Sequence, residues 1–185
     1  MHPLQIRPSE PRDLADITSI YAHNVLHGTG TFELDPPSQA DIGQRRDDVL
    51  SKRLPWLVAE QDGVVLGYAY ANHFRPRLAF RFAVEDSVYL APEAQGRGVG
   101  TLLLAELMAR CTAAGARQMV AVIGDSANLG SIALHRRCGF ADAGILRATG
   151  WKFDRWLDVV LMQRELGTGA AQAPIDPPSS PPQAA

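Results

Sequence analysis

Three alternating glycines in Gln95-Gly96-Arg97-Gly98-Val99-Gly100-Thr101 follow the strand-like Val88-Tyr89-Leu90 and open directly onto an apolar helical pattern. Glycines let a backbone run close to a ligand, and the first turn of a helix offers free N–H groups at the positive end of its dipole, which suits phosphate oxygens. The spacing reads as a diphosphate site, with a plain tight turn as the alternative. Two familiar phosphate loops are excluded. No Lys-Ser or Lys-Thr pair follows at P-loop spacing, and Thr101 and Leu103 stand where a dinucleotide fingerprint needs its third glycine.

A second reactive group lies just upstream. With strict alternation over a strand read from Phe80 to Leu90, Phe80, Phe82, Val84, Val88 and Leu90 share one face, and Arg81, Glu85, Ser87 and Tyr89 share the other. That gathers a carboxylate, a hydroxyl and a guanidinium on one surface, making Glu85 either a candidate base or a solvated, salt-bridged strand residue. Asp86 falls on the apolar face, which predicts a bulge or a pocket beyond the strand. Arg75, Arg77 and Arg81 crowd the same region beside Phe74. A planar guanidinium matches a substrate carboxylate, and surface solubility is the other reading of each arginine.

The elements that must position these groups alternate short strands with helices, as in a mixed α/β domain. Gln5-Ile6-Arg7 reads as a strand. Asp13 is placed to cap a helix carrying Leu14, Ile17, Tyr21 and Val25, and Ser38 a second one carrying Ile42, Val49 and Leu50. The runs 56–60 and 64–70 flank Asp62-Gly63, a hairpin signal. A largely apolar helix spans about 98–114, an uninterrupted apolar strand 119–123, and a short helix 131–138 stopped by Gly139. Runs 140–146 and 156–164 read as two closing strands. Residues 167–185 hold five of the thirteen prolines with Ala, Gly, Ser and Gln, too little apolar surface to offset ordering, so an unstructured tail is expected after a single domain over 1–166.

The 185 residues are 46% hydrophobic and carry a formal net charge of −2, which fits an ordinary globular domain and gives no basic stripe for a nucleic acid or an anionic membrane. No apolar run approaches a membrane span, and Met1-His2-Pro3-Leu4-Gln5 lacks the features of a leader, so a cytoplasmic protein is expected. Cys111 and Cys138 read as buried reduced thiols. His2, His23, His27 and His73 show no metal-ligand spacing, and no metal is expected. Gly124-Asp125-Ser126-Ala127-Asn128 misses a Gly-x-Ser-x-Gly elbow at its last residue, which argues against a hydrolase.

The Gln-x-x-Gly-x-Gly loop after a strand ending Val-Tyr-Leu-x-Pro, together with the run from Asn128 to Phe140, resembles the GNAT superfamily of acetyl-CoA-dependent N-acetyltransferases. Thr31-Phe32-Glu33, 55–60, 84–90, 120–123 and Trp156-Leu157-Asp158-Val159 are similar to the branch of phosphinothricin and methionine sulfoximine/sulfone acetyltransferases. The resemblance covers residues 4–166. It implies a central mixed, mostly antiparallel twisted sheet of about seven strands flanked by about four helices, a homodimer, and transfer of acetyl from acetyl-CoA to the α-amine of a small amino acid analogue. Other amines, or a non-catalytic acetyl-CoA-binding module, are the competing readings.

Residue by residue, the resemblance implies that Glu85 is the base that deprotonates the amine. The N–H of Leu90 steadies the oxyanion, and Val88, Tyr89 and Leu90 lie along the pantetheine arm. Gln95, Gly96, Arg97, Gly98, Val99, Gly100 and Thr101 hold the diphosphate. Asn128 matches a coenzyme-binding asparagine, for which a helix cap is the local alternative. Arg75, with Phe74, falls in the branch's substrate loop, Arg77, Arg81, Asp86 and Ser87 lie nearby, and Phe32 closes the other side. His135 departs from the family, many of whose members have tyrosine there as general acid. Histidine can donate a proton near neutral pH, and coenzyme contact or simple packing are its other readings.

Overall fold

A computed structural model describes residues 3–175. The chain runs β1 (Gln5–Pro8), α1 (Leu14–His27), α2 (Gln39–Ser51), β2 (Trp56–Gln61), β3 (Val64–His73), β4 (Ala83–Leu90), α3 (Val99–Ala113), β5 (Gln118–Gly124), α4 (Leu129–Arg137), β6 (Ala141–Lys152) and β7 (Arg155–Glu165). The seven strands form one sheet in the order β1-β2-β3-β4-β5-β7-β6. Only the central β4–β5 pair is parallel. This is the mixed, mostly antiparallel architecture with four helices that the sequence led us to expect.

Local chemistry explains most boundaries. Ser38 and Asp41 form a capping box at the start of α2. Asp62 and Gly63 both take positive φ, 51° and 83°, as a two-residue hairpin turn of matching twist requires. Asp13 precedes α1 but makes no side-chain cap. Its carboxylate instead takes two hydrogen bonds of 2.7 Å from Arg7, fixing β1 against the helix start. Leu50 of α2 is exposed rather than on its inner face.

Two strands differ from the sequence reading. Phe80 is not in a strand: Leu78–Phe80 form a 3-10 turn, and β4 begins only at Ala83. Arg81 therefore does not share a strand face with Glu85. β6 runs to Lys152, six residues beyond the expected end at Leu146. Register shifts at Asp142/Gly144 and Leu146/Gly150, with positive φ at Gly144 and Ala148, break the two-residue alternation that would have shown it. A tight turn at Phe153-Asp154, both near φ 54°, joins β6 to β7.

The core lies on both faces of the sheet. Tyr21 of α1 meets the Tyr89 ring edge-on at 4.9 Å, and Tyr68 stacks on Tyr89 and Trp56 on that same face. On the opposite face α3 inserts Leu103, Leu104, Leu107 and Cys111, all fully buried at helical spacing. Both cysteines are free and buried. Trp151, Phe153 and Trp156 lie outside this core, about half exposed.

Of the Pro/Ala-rich segment, residues 167–175 include a 3-10 turn at Gly169–Ala171, and Arg117 hydrogen-bonds Thr168 there. The part of the expected tail at 176–185 lies outside the described residues. Among the described residues no helix is long and apolar enough to cross a membrane.

Candidate active site

The site begins where two central strands part. β4 and β5 pair from Ala83↔Gln118 to Asp86↔Ala121 and stop, yet β4 continues to Leu90 and β5 to Gly124. The β3–β4 register is unbroken from Gly67↔Leu90 to His73↔Val84, so Asp86 marks no bulge on that side. Ala91 N–H donates to Leu66 O at 2.9 Å and Phe74 N–H to Ala83 O at 3.0 Å. These bonds fix the odd-numbered residues of β4 as those bonded to β3. Val88 and Leu90 thus turn their N–H and C=O toward the β5 side, beyond the last β5 partner. Asn24 Nδ2 donates to Leu90 O at 3.4 Å. A strip of backbone is left open to a ligand that carries amides of its own.

The resulting cleft has a volume of about 940 Å³ and runs from Glu85 past Leu90 to the glycine loop. Gly96 and Gly98 have φ of 72° and 82°, the left-handed region that other residues occupy at a cost of about 1–2 kcal/mol. Gly98 caps α3, whose first amides have no partner within the helix. One expected donor is not open: Thr101 N–H turns back to Gly98 O at 3.1 Å, although the residue lines the cleft. Gln95, Gly96 and Gly100 line it too. The Arg97 side chain points away, to Gln61 Oε1 at 3.1 Å, and Val99 is buried in the core. Gly100 lets α3 close on Leu134 and Leu90, since a β-carbon there would come within 3.4 Å of both side chains.

Glu85, Ser87 and Tyr89 share the α1 face of β4, as alternation predicts, and Tyr70 of β3 stands opposite Ser87. Glu85 is partly buried, and that burial, with Asp86 adding to it against the pull of Arg75, raises its carboxyl above the ordinary glutamate range. Arg75 Nη1 is 4.0 Å from Glu85 Oε2. Its guanidinium lies 4.1 Å from the centre of the Phe74 ring, which packs edge-on to Phe80. Arg77 is exposed, and Arg81 stacks on Phe82 and donates to Leu78 O at 3.3 Å. The structure thus brings Arg75 to Glu85 but leaves Arg77 and Arg81 on the outer loop. Phe32 lines the cleft from the loop after α1.

Asp86 points to the opposite face and meets His135 of α4, Nε2 to Oδ2 at 2.9 Å. His135 Nδ1 lies 2.7 Å from Ser131 O, which can only accept, so Nδ1 carries a proton; Nε2 donates as well when the ring is charged opposite the Asp86 carboxylate. Burial works against charge on this ring, but the hydrogen bond and charge of Asp86 outweigh it and raise the pKa above 6.5. A raised value means the stabilisation is complete below the unfolded pKa and is lost as pH rises through the folded one. Thermal unfolding from about pH 6 to pH 9 is therefore expected to show wild type losing more stability than His135→Gln over that range. Parallel curves would refute the charged pair.

Asn128 caps α4, its Oδ1 accepting from Ser131 N–H at 3.2 Å, and it also lines the cleft. Both of its sequence readings are therefore compatible with its position.

Residues 18–140 match the model of the acetyltransferase (GNAT) family. The chain belongs to the GNAT acetyltransferase family. It is 52% identical to the phosphinothricin N-acetyltransferase of Alcaligenes faecalis over 91% of this chain and 86% of that one. It is 39% identical to the L-methionine sulfoximine/L-methionine sulfone acetyltransferase of Salmonella typhimurium, over 91% and 98%. The crystal structure of a GNAT superfamily phosphinothricin acetyltransferase from Sinorhizobium meliloti in complex with AcCoA superimposes with a TM-score of 0.91, at 49% identity and 95% coverage of each chain.

As a GNAT acetyltransferase the chain is an enzyme, and its cleft includes residues to which sequence reasoning assigned no site role. Asn24, Thr29, Thr31, Tyr70, Gly124 and Arg155 all line it. Tyr70 had a usable signal, since the Asp62-Gly63 hairpin sets it opposite Trp56 and alternation puts it on the face of Tyr68. Thr29 and Thr31 sit in a loop with no periodicity to read.

Proposed function

We propose that this enzyme transfers acetyl from acetyl-CoA to the α-amino group of a small amino acid analogue of the phosphinothricin or methionine sulfoximine/sulfone kind, by direct attack in a ternary complex. The observation that carries this reading is Glu85, a carboxylate with a raised pKa at the point where β4 and β5 part, with Arg75 at 4.0 Å. The names of the relatives support the substrate class.

The residues fit acetyl-CoA on their own geometry. The open backbone of Val88 and Leu90 suits the pantetheine amides, and the amides around Gly98 and Gly100 suit the diphosphate. Thr101 and Asn128 flank that end. At the other end Glu85 takes the proton of the substrate ammonium, directly or through water, so that the free amine can attack. Raising a carboxyl toward the working pH makes it a better match for that task. The Leu90 N–H faces the carbonyl on which charge develops. Arg75 receives the acceptor's carboxylate, with Phe74 under it and Phe32 across the cleft. His135, with both nitrogens donating to Asp86 and Ser131 when its ring is charged, clamps α4 to β4 in this reading. The leaving thiolate, from a thiol of pKa near 8.5, takes up through water the second proton that the attacking nitrogen sheds, and needs no acid from the chain.

The exposed aromatics of β6–β7, Trp151, Phe153 and Trp156 with Ile145 and Leu146, supply the face at which we place a homodimer. The two free buried thiols accord with a cytoplasmic setting. Release of coenzyme A thiol from acetyl-CoA, measured with phosphinothricin, methionine sulfone, methionine sulfoximine, ordinary amino acids, a polyamine and an N-terminal peptide, tests the substrate reading. Turnover is expected with the first three. Turnover with the peptide or polyamine alone would overturn it, together with the role of Arg75.

A further inference from the structure

We infer that the β6–β7 hairpin shapes the acceptor end of the cleft by gripping the loop between α1 and α2 through Lys152 and Gly150. The inference deepens the functional reading above and rests on it for the identity of that end. Residues 28–33 have no helix or strand pairing, so no backbone ladder holds them, yet Thr31 and Phe32 line the cleft together with Glu85 and Tyr70. Side chains must do the holding.

Lys152 is the least expected of them. A lysine is almost never fully buried unless it is paired, yet this one is 2% exposed and its Nζ donates to Thr31 O at 2.8 Å, 121 residues away in the chain. Desolvating an ammonium is expensive, and burial lowers the Lys152 pKa. A charge-assisted bond to a carbonyl of an otherwise unladdered loop is what this arrangement obtains in return.

Two residues earlier on the same face of β6, Gly150 lets the Phe32 ring come so close that a β-carbon would overlap it. Gly124 of β5 gives the same clearance to the Thr29 carbonyl. From the other side Tyr21 Oη lies 2.9 Å from Thr31 Oγ1 and donates to Glu33 Oε1 at 2.9 Å, and Arg45 holds Glu33 at 2.6 Å. Phe32 is thereby fixed in position in the cleft that Glu85 also lines. Lys152 and Gly150 are positioning residues, acting on the acceptor through Thr31 and Phe32.

Two variants test this, Lys152→Met, which keeps the stem and removes the donor, and Gly150→Ala, which displaces the Phe32 ring. Hydrogen exchange of residues 28–33 in the ligand-free enzyme is expected to accelerate in both variants. Acceptor KM is expected to rise about tenfold or more in both variants, a displaced contact near the chemistry being worth up to ~10²-fold, with KM for acetyl-CoA changing less than about twofold. The ratio of kcat/KM between phosphinothricin and methionine sulfone should also shift. A merely structural role would lower thermal stability without separating the two KM values.

Unchanged exchange would overturn the grip. Faster exchange with an unchanged acceptor KM would overturn its link to the acceptor end. If Lys152→Met does not fold, Gly150→Ala carries both measurements. If the wild type acetylates no amino acid analogue, the functional reading fails on its own, and exchange still decides the grip.

Discussion

Glutamine in place of Glu85 is expected to lower kcat/KM for the amine by about 10²–10⁴, the usual contribution of a positioned general base. The change is nearly isosteric and removes only the ability to take a proton. Glu85 lines the cleft but makes no part of the glycine loop, so acetyl-CoA affinity should be retained. The pH profile carries the sign. The base works only as carboxylate, so activity in the wild type rises with pH through the raised Glu85 pKa, and Glu85→Gln should lose that limb while keeping the limb that belongs to the amine itself. Steady-state kinetics across pH, with calorimetric titration of acetyl-CoA, check both halves. An unchanged rate and profile would remove Glu85 from the reaction.

The second large effect concerns stability. His135→Leu takes the only hydrogen-bond partner that the Asp86 carboxylate has among the described residues, its Oδ1 being already buried without one there. An uncompensated buried charge typically costs about 3–5 kcal/mol, large against the marginal stability of a domain of this size. Replacing both residues by leucine should recover most of that loss, because an apolar pair of similar volume often does as well as a buried ion pair. Urea unfolding of the single and double variants measures this. Equal losses in both would mean that shape, and not the unpaired carboxylate, governs the site. The double variant also addresses catalysis: retained turnover is expected if His135 only clamps α4, and a lost turnover with intact folding would restore it as a proton donor.

Much of this was legible in the residues themselves. The Asp62-Gly63 turn, the Ser38 cap and the helical spacing of Leu103, Leu107 and Cys111 are local signals, and local signals survive into the fold. The alternation that put Glu85, Ser87 and Tyr89 on one face is equally local, and the register confirms it. It failed one turn earlier. Phe80-Arg81-Phe82 alternates like a strand, but nothing in the sequence reveals that β4 has partners only from Ala83 onward. The Asp86–His135 pair joins residues 49 positions apart, and the Lys152–Thr31 bond joins residues 121 apart. Such contacts are set by topology, which no spacing rule encodes. The bulges of β6 hid its length in the same way.

What the coenzyme end needs is mainly backbone, and glycine loops advertise backbone in sequence. What the acceptor end of the proposed scheme needs is a set of side chains, each ordinary alone, from β3, β4 and two loops, with β6 holding one of those loops. This is why the class of reaction is clearer from the sequence than the identity of the acceptor, whose discrimination depends on pocket volume and is worth about 1–3 kcal/mol per methylene.

The proposed scheme takes direct attack, in accord with Cys111 and Cys138 being buried and outside the residues that line the cleft. The most direct test is the initial-rate pattern with acetyl-CoA and phosphinothricin both varied. Double-reciprocal lines that intersect are the predicted result, as both substrates must be bound together before acetyl moves. Parallel lines, with coenzyme A released before the amine binds, would require an acetylated enzyme and would contradict the account.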